Sequence, residues 1–389
     1  MIRKTTIAYT LFSIALCYII FPWFFEKNLF FNELLAVMGL MVLAYRRFRT
    51  GRHFISQCML LLLGWSAIHA VISLFRMDSL YFYFRNLVIA YSMLTYFVGY
   101  HCFRFLPGFI TRIRHLLQIY IGVFLIIPLP RLLFERFGVS VLFPALIRNL
   151  SNHRALPILI LLNIIYSITY KSFTSFIQAA FYSLLLISPG YRFFKQVVVV
   201  ILLIFGVIFV ALQSNLEIIS QHYNIYDMIA IHEVMSSNPI LSLDGNSTWR
   251  LVLWKQVLVN QFPKNIFGLG FGTPIIKYFP VEDITKAHTL PYVLGAHNSF
   301  VYLFGRLGLI YMLLTLLVYR YVFKEYFYYK SFYYSNRTIL IFWSFFASTI
   351  IALFNPVLES PIFAGSYWLI LGFLARAIQQ RKKAFIANH

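Results

Sequence analysis

Residues 296–322 read AHNSFVYLFGRLGLIYMLLTLLVYRYV. From Asn298 onward this is a predominantly apolar run of helical length, and a ~30 Å hydrocarbon layer is crossed by ~20 residues of helix. Asn298 can cap that helix, which places His297 at its N-terminus. The helix-end field there favours anions and disfavours a protonated imidazole. Runs of the same character recur near 7–25, 29–45, 54–75, 80–100, 116–130, 155–170, 173–188, 197–212, 338–354 and 361–377. Backbone polar groups in lipid must be satisfied within each span. The expected fold class is therefore all-α, a polytopic integral membrane protein in which residues 1–389 form a single membrane domain.

The composition agrees. Of 389 residues, 60% are hydrophobic and only 12% charged, more apolar surface than a soluble core of this length can hide. Tyr (27) and Phe (42) gather near span ends, as in interfacial belts. A net charge of +21 on a soluble protein would point to nucleic acid. Here the charge sits mostly in short connectors, 3–4, 46–53, 101–115, 191–195, 320–337 and 376–383, whereas the long segment 213–296 carries five basic and six acidic residues. That is the positive-inside pattern: the charge reports topology and contact with anionic lipids, and no nucleic-acid partner is expected. Cys17, Cys58 and Cys102 lie in or beside early spans and suggest no disulfide framework. His232-Glu233 lacks the second histidine of a zinc helix, so no metal is expected. The first span follows Arg3 and Lys4 without a small-residue cleavage site, which reads as an uncleaved helix rather than a signal peptide.

These runs number eleven, yet both termini are basic and belong on one side, which requires an even count. The missing crossing is best supplied by Leu132 to Leu150, apolar from Val139 to Leu146 but carrying Glu135, Arg136 and Arg148. Such a span is tolerated where its charges face protein or reach an interface.

Segment 213–296 is long enough to need structure of its own. Asn246 or Ser247 can cap a helix beginning near Thr248, in which Arg250 and Trp254 lie four apart on one face. Phe262-Pro263 ends it. Gly268-Leu269-Gly270-Phe271-Gly272 follows, neither after a strand nor opening a helix, so it is no dinucleotide fingerprint. Its glycines permit either a tight turn or the close approach of a ligand or helix, and Gly305 and Gly308 suit close helix packing. Taken alone, Arg250 fits a snorkelling or ion-paired arginine, and His297 an interfacial histidine bonded to a carbonyl. Taken together with Trp254, the glycines and Asn298, they fit a site where a guanidinium grips a diphosphate through paired donors. A neutral imidazole there can take a proton from a sugar hydroxyl. His288 lacks that context.

The order Arg-x3-Trp, Pro, Gly-x-Gly-x-Gly and His-Asn at the head of an apolar helix, over 246–312, resembles the O-antigen ligase family, which also holds many lipid-linked oligosaccharide polymerases. A weaker likeness reaches back to Leu150 and forward to Trp368, where Asn355-Pro356-x2-Glu359 looks like a family feature. The resemblance implies about twelve spans in the bacterial inner membrane, with the large periplasmic loop 213–296 between spans nine and ten. It implies a metal- and cofactor-independent glycosyltransferase that takes a glycan from undecaprenyl diphosphate. The acceptor would be a hydroxyl of the lipid A core oligosaccharide or, in a polymerase, the growing glycan. His297 and Arg250 would be catalytic; Trp254, Gly270, Asn298 and Glu359 would meet substrate. Glu359 could orient His297 or bind an acceptor sugar, but a plain solvated turn carboxylate is the stronger reading of that residue. The family's second basic residue, at the outer end of a span before the loop, falls on Lys171 or on Arg154. Twelve-span parity puts Lys171 outside and Arg154 inside, which favours Lys171, although lysine is a point charge without arginine's two-pronged grip. A transporter or flippase of lipid-linked glycans fits the span count equally. Such proteins usually carry ionisable groups at mid-membrane, whereas Glu33 and Glu135 lie near span ends.

Overall fold

The computed structural model describes residues 31–45, 53–103, 196, 203, 250–251, 253–260, 263, 266–275, 296–328 and 336–388. Among the described residues every regular element is helical: α1 (Phe31–Tyr45), α2 (Phe54–Leu74), α3 (Leu80–Ser92), α4 (Thr95–Cys102), a π-helical turn (Gln256–Asn260), α5 (Ser299–Tyr328), α6 (Asn336–Phe354) and α7 (Pro361–Asn388). Two of them, α2 and α5, are long and apolar enough to cross a membrane. The spans expected at 7–25 and between 116 and 212, including 132–150, lie outside the described residues except for Gln196 and Leu203, and with them the full span count.

Two expected spans differ in detail. The run 80–100 is interrupted after Ser92: Leu94, Tyr96 and Phe97 donate to carbonyls three residues back, on Tyr91, Met93 and Leu94. Two contacts of the Thr95 hydroxyl accompany the break: it takes up the Ser92 carbonyl of the same run at 2.7 Å, in competition with the regular ladder, and it lies 2.8 Å from the Gly365 carbonyl of the distant α7. The last helix continues past the expected end at 377 to Asn388. Its added turns are basic, which suits a helix C-terminus.

The chain divides into two compact units, Met1–Gly64 with Val88–Pro189 and Thr315–His389, and Trp65–Leu87 with Gly190–Leu314. In the first, α4 is buried and packs against α7 and α1, and α6 packs against α7. The crossing of α4 and α7 is close because each helix puts a glycine under the other's backbone. A Cβ at Gly99 would lie 2.2 Å from the Leu369 oxygen, and one at Gly372 2.1 Å from the Tyr96 oxygen. Several polar side chains in this interior are paired with one another. Asn32 Nδ2 donates to Ser92 Oγ at 2.9 Å, the Ser56 and Tyr96 hydroxyls meet at 2.9 Å, and the Tyr91 hydroxyl donates to Glu33 Oε1 at 2.6 Å. Tyr319, Tyr367 and Thr349 join their hydroxyls in another buried group.

The outside is apolar instead. Leu34, Val37, Leu40 and Met41 on α1, Leu61 on α2, and Leu316 and Leu317 on α5 are exposed. Polar pairs within and leucines without are the arrangement a hydrocarbon solvent favours and water penalises. Residues at or beside four basic connectors meet in this unit. His53 contacts the rings of Tyr100 and Tyr321, Arg376 stacks over Tyr100, and Lys382 pairs with Glu325.

Candidate functional site

The second unit is built around a break in α5. Gly308 has φ 77° and ψ −171°, inside what would otherwise be one helix. A helix broken there leaves the carbonyls of the preceding turn without their usual amide partners. Gly305 O instead accepts from Leu269 N at 2.9 Å, Arg306 O from Gly270 N at 2.9 Å, and Leu307 O from the Trp65 indole at 2.7 Å. Gly308 itself has no room for a side chain, since a Cβ would lie 2.3 Å from the Ile266 oxygen.

This explains the glycine run. Gly268, Gly270 and Gly272 all have positive φ, at 86°, 77° and 78°. That zigzag turns successive amides toward different partners: Phe271 N donates to Ser73 Oγ at 2.7 Å and Gly272 N to Asn86 Oδ1 at 3.1 Å. The Gly272 carbonyl accepts from Asp78 N and Ser79 N. Arg306, 2% exposed, reaches back with Nη1 to the Gly270 carbonyl at 3.2 Å and the Thr273 carbonyl at 2.5 Å, its guanidinium over the Tyr302 ring. Tyr302 OH accepts from Asn86 Nδ2 at 2.7 Å. Gly270 therefore has both backbone groups engaged within the chain, as a turn requires. Gly305 packs against Ile275 and Val257 of the loop, and Gly308 against Ile266 and Phe267, rather than against a neighbouring span as the sequence suggested.

Trp254 and Asn298 hold the candidate site from the two sides of His297 in sequence. Arg250 and Trp254 are both helical, and the helical residues 253–255 lead into the π-turn Gln256–Asn260. The buried Trp254 donates its indole N–H to the Ala296 carbonyl at 2.7 Å. That bond anchors the residue immediately before His297. Asn298, also buried, caps α5 as its sequence position suggested: Oδ1 accepts from Phe300 N at 3.0 Å and Val301 N at 3.1 Å. Between these two fixed points His297 is held at φ 48°, a left-handed conformation that non-glycine residues seldom adopt.

The electrostatics follow from this placement. His297 is half-buried, and its imidazole is pushed down to about 4, first by burial and then by the positive charge of Arg250. The two side chains singled out from sequence are thus electrically coupled within one unit. Near neutral pH the arrangement offers a neutral imidazole and a cation.

Trp254 and Asn298 frame that pair through contacts with the chain itself. Glu359 lies half-buried in the turn between α6 and α7 and belongs to the other unit. Lys171, Arg154 and His288 lie outside the described residues. Arg306, Ser73, Asn86 and Trp65 had no assigned role. For Arg306 a signal was present, because an arginine within an apolar span needs a protein partner. Among the described residues no three His, Cys, Asp or Glu side chains gather as a metal ion would require. Compared with protein-family models, curated proteins and solved structures, the chain matches none.

Proposed function

We propose that the protein is a membrane glycosyltransferase of the O-antigen ligase type, which moves a glycan from undecaprenyl diphosphate onto a hydroxyl acceptor at the periplasmic face of the bacterial inner membrane. The observation that carries this reading is the pairing of a neutral imidazole, His297, with the charge of Arg250 at the head of an apolar helix. Glycan transfer from a lipid diphosphate needs those two functions. The acceptor oxygen attacks the anomeric carbon and its proton passes to the imidazole. The bond from the anomeric carbon to the diphosphate oxygen breaks, and the guanidinium stabilises the charge that develops there. A direct displacement inverts the anomeric centre. The diphosphate is already a good leaving group, so no metal or nucleotide enters the scheme.

Further support comes from the tryptophan and cap that hold the peptide before and after His297, since a general base must be held in reach of its proton. In this scheme the bundle has about twelve spans, and Lys171 or Arg154 supplies a second cation. The acceptor is the lipid A core oligosaccharide; with a growing glycan as acceptor, the same chemistry would make a polymerase.

The test is transfer by the purified chain, in detergent and without a membrane gradient, from a polyprenyl-diphosphate glycan to core lipid. His297→Ala is expected to lower the rate at least a hundredfold, in line with loss of a general base, while leaving the folded fraction unchanged. Full transfer by His297→Ala would remove the base from the scheme. Gradient-dependent movement of the donor without transfer would replace the enzyme with a transporter.

A further inference from the structure

The first compact unit holds a polar cluster that the glycan-transfer reading does not use. His53 immediately precedes α2, and its carbonyl accepts the first intrahelical bond, from Gln57 N at 3.0 Å. The amides of the first turn of α2 have no intrahelical acceptor by construction, and the helix dipole makes that end attractive to anions. His53 is only 6% exposed, and both ring nitrogens are buried without a hydrogen-bond partner. One of them carries a proton in any protonation state, so a buried donor is left without its acceptor.

The surroundings are cationic. The ring lies between Tyr100 and Tyr321, at 6.2 and 5.9 Å between centroids. Arg376 stands over Tyr100 at 5.3 Å, with Nη1 on Gln379 Oε1 at 2.7 Å. Lys382 and Arg376 both act on the imidazole, which burial and these two charges hold at about 4. Glu325 is the carboxylate here, and it meets Lys382 only at 3.6 Å, at the long end of ion pairing. The Lys382 side chain is 40% exposed, so it can swing from Glu325 to a ligand.

We propose that the N-terminus of α2, His53, Arg376 and Lys382 form a binding site for a phosphate group. The phosphate would accept from the His53 ring N–H and the helix amides, and the two cations would balance its charge. The same chemistry is offered by a free phosphate ion and by the headgroup of an anionic phospholipid. The site is independent of the glycan-transfer reading and stands or falls apart from it.

The full chain, purified and placed in nanodiscs of zwitterionic lipid, is titrated with inorganic phosphate against chloride at matched ionic strength, following thermal unfolding. A second arm replaces part of the lipid with phosphatidylglycerol. Stabilisation by phosphate assigns the free ion, and stabilisation by phosphatidylglycerol alone assigns the headgroup. In the arm that responds, Arg376→Gln and Lys382→Gln each weaken the apparent affinity about tenfold or more. Lys383→Gln, an exposed cation one residue away, leaves it unchanged. No response in either arm overturns the proposal. So does an equal loss in Lys383→Gln, which would show diffuse charge attraction instead of a site. Should Arg376→Gln fail to fold, the comparison of Lys382→Gln with Lys383→Gln decides alone, since both side chains lie toward the surface.

Discussion

His297 carries the sharpest expectations. A histidine whose folded value is lowered to about 4 stays neutral where a free imidazole, near 6.5, is gaining its proton. Between those limits the unfolded chain binds more protons than the folded one, so stability rises with pH across that window. It is lost as the pH falls from 6.5 through about 4. Comparing wild type with His297→Gln in thermal unfolding across this range isolates the contribution, and a difference that did not change with pH would contradict the burial of the ring. The acid limb of kcat/KM belongs near 4 for the same reason. Arg250→Gln, whatever it does to the height of the profile, should move that limb upward, because one of the two depressing influences is gone.

Asn298 acts on the same site through the backbone. Replacing it with alanine removes the acceptor for two amides and should cost about 1 kcal/mol, with most of it recovered in Asn298→Asp. Denaturation midpoints of the two variants test the cap directly.

At the scale of elements, the broken α5 is the organising feature of the second unit. Gly308→Ala meets two obstacles at once, a positive φ and the Ile266 oxygen 2.3 Å from the new Cβ. A loss of about 2 kcal/mol or more is expected. Gly64, in the interior of α2, has nothing within 4 Å of its Cβ position and serves as the control. Alanine there should be neutral or slightly stabilising. If the two substitutions behaved alike, the kink would not be holding the glycine loop. The interruption between α3 and α4 is a milder case of the same physics: a hydroxyl at Thr95 satisfies the Ser92 carbonyl that a regular helix would have claimed, and also meets the Gly365 carbonyl of α7.

For the molecule as a whole, the distribution of charge makes a statement about sides. The connectors 46–53, 101–115, 320–337 and 376–383 are basic, and residues at or beside them meet around His53 in the first unit. In a chain whose three native cysteines are replaced by alanine, Lys286→Cys should react with an impermeant maleimide on intact spheroplasts. Lys383→Cys should react only after permeabilisation. Labelling of both from one side would refute the proposed topology and, with it, a periplasmic site.

The sequence by itself determined that the regular elements among the described residues are helical, where α2 and α7 begin, and that Asn298 caps α5. These features follow from local rules, the length of apolar runs and the side chains at helix ends. It also marked Arg250 and His297 as a pair worth testing, through residue type and order alone. Only the tertiary structure decided what the glycine run does. A glycine's positive φ leaves no trace in composition, and the carbonyls that Gly268 to Gly272 serve belong to a helix some 35 residues away in the chain. The same holds for Arg306, whose partners are backbone oxygens of that loop. Hydrophobic periodicity records which faces are apolar. It does not record where a helix breaks, because the break is stabilised by groups that arrive from elsewhere in the fold.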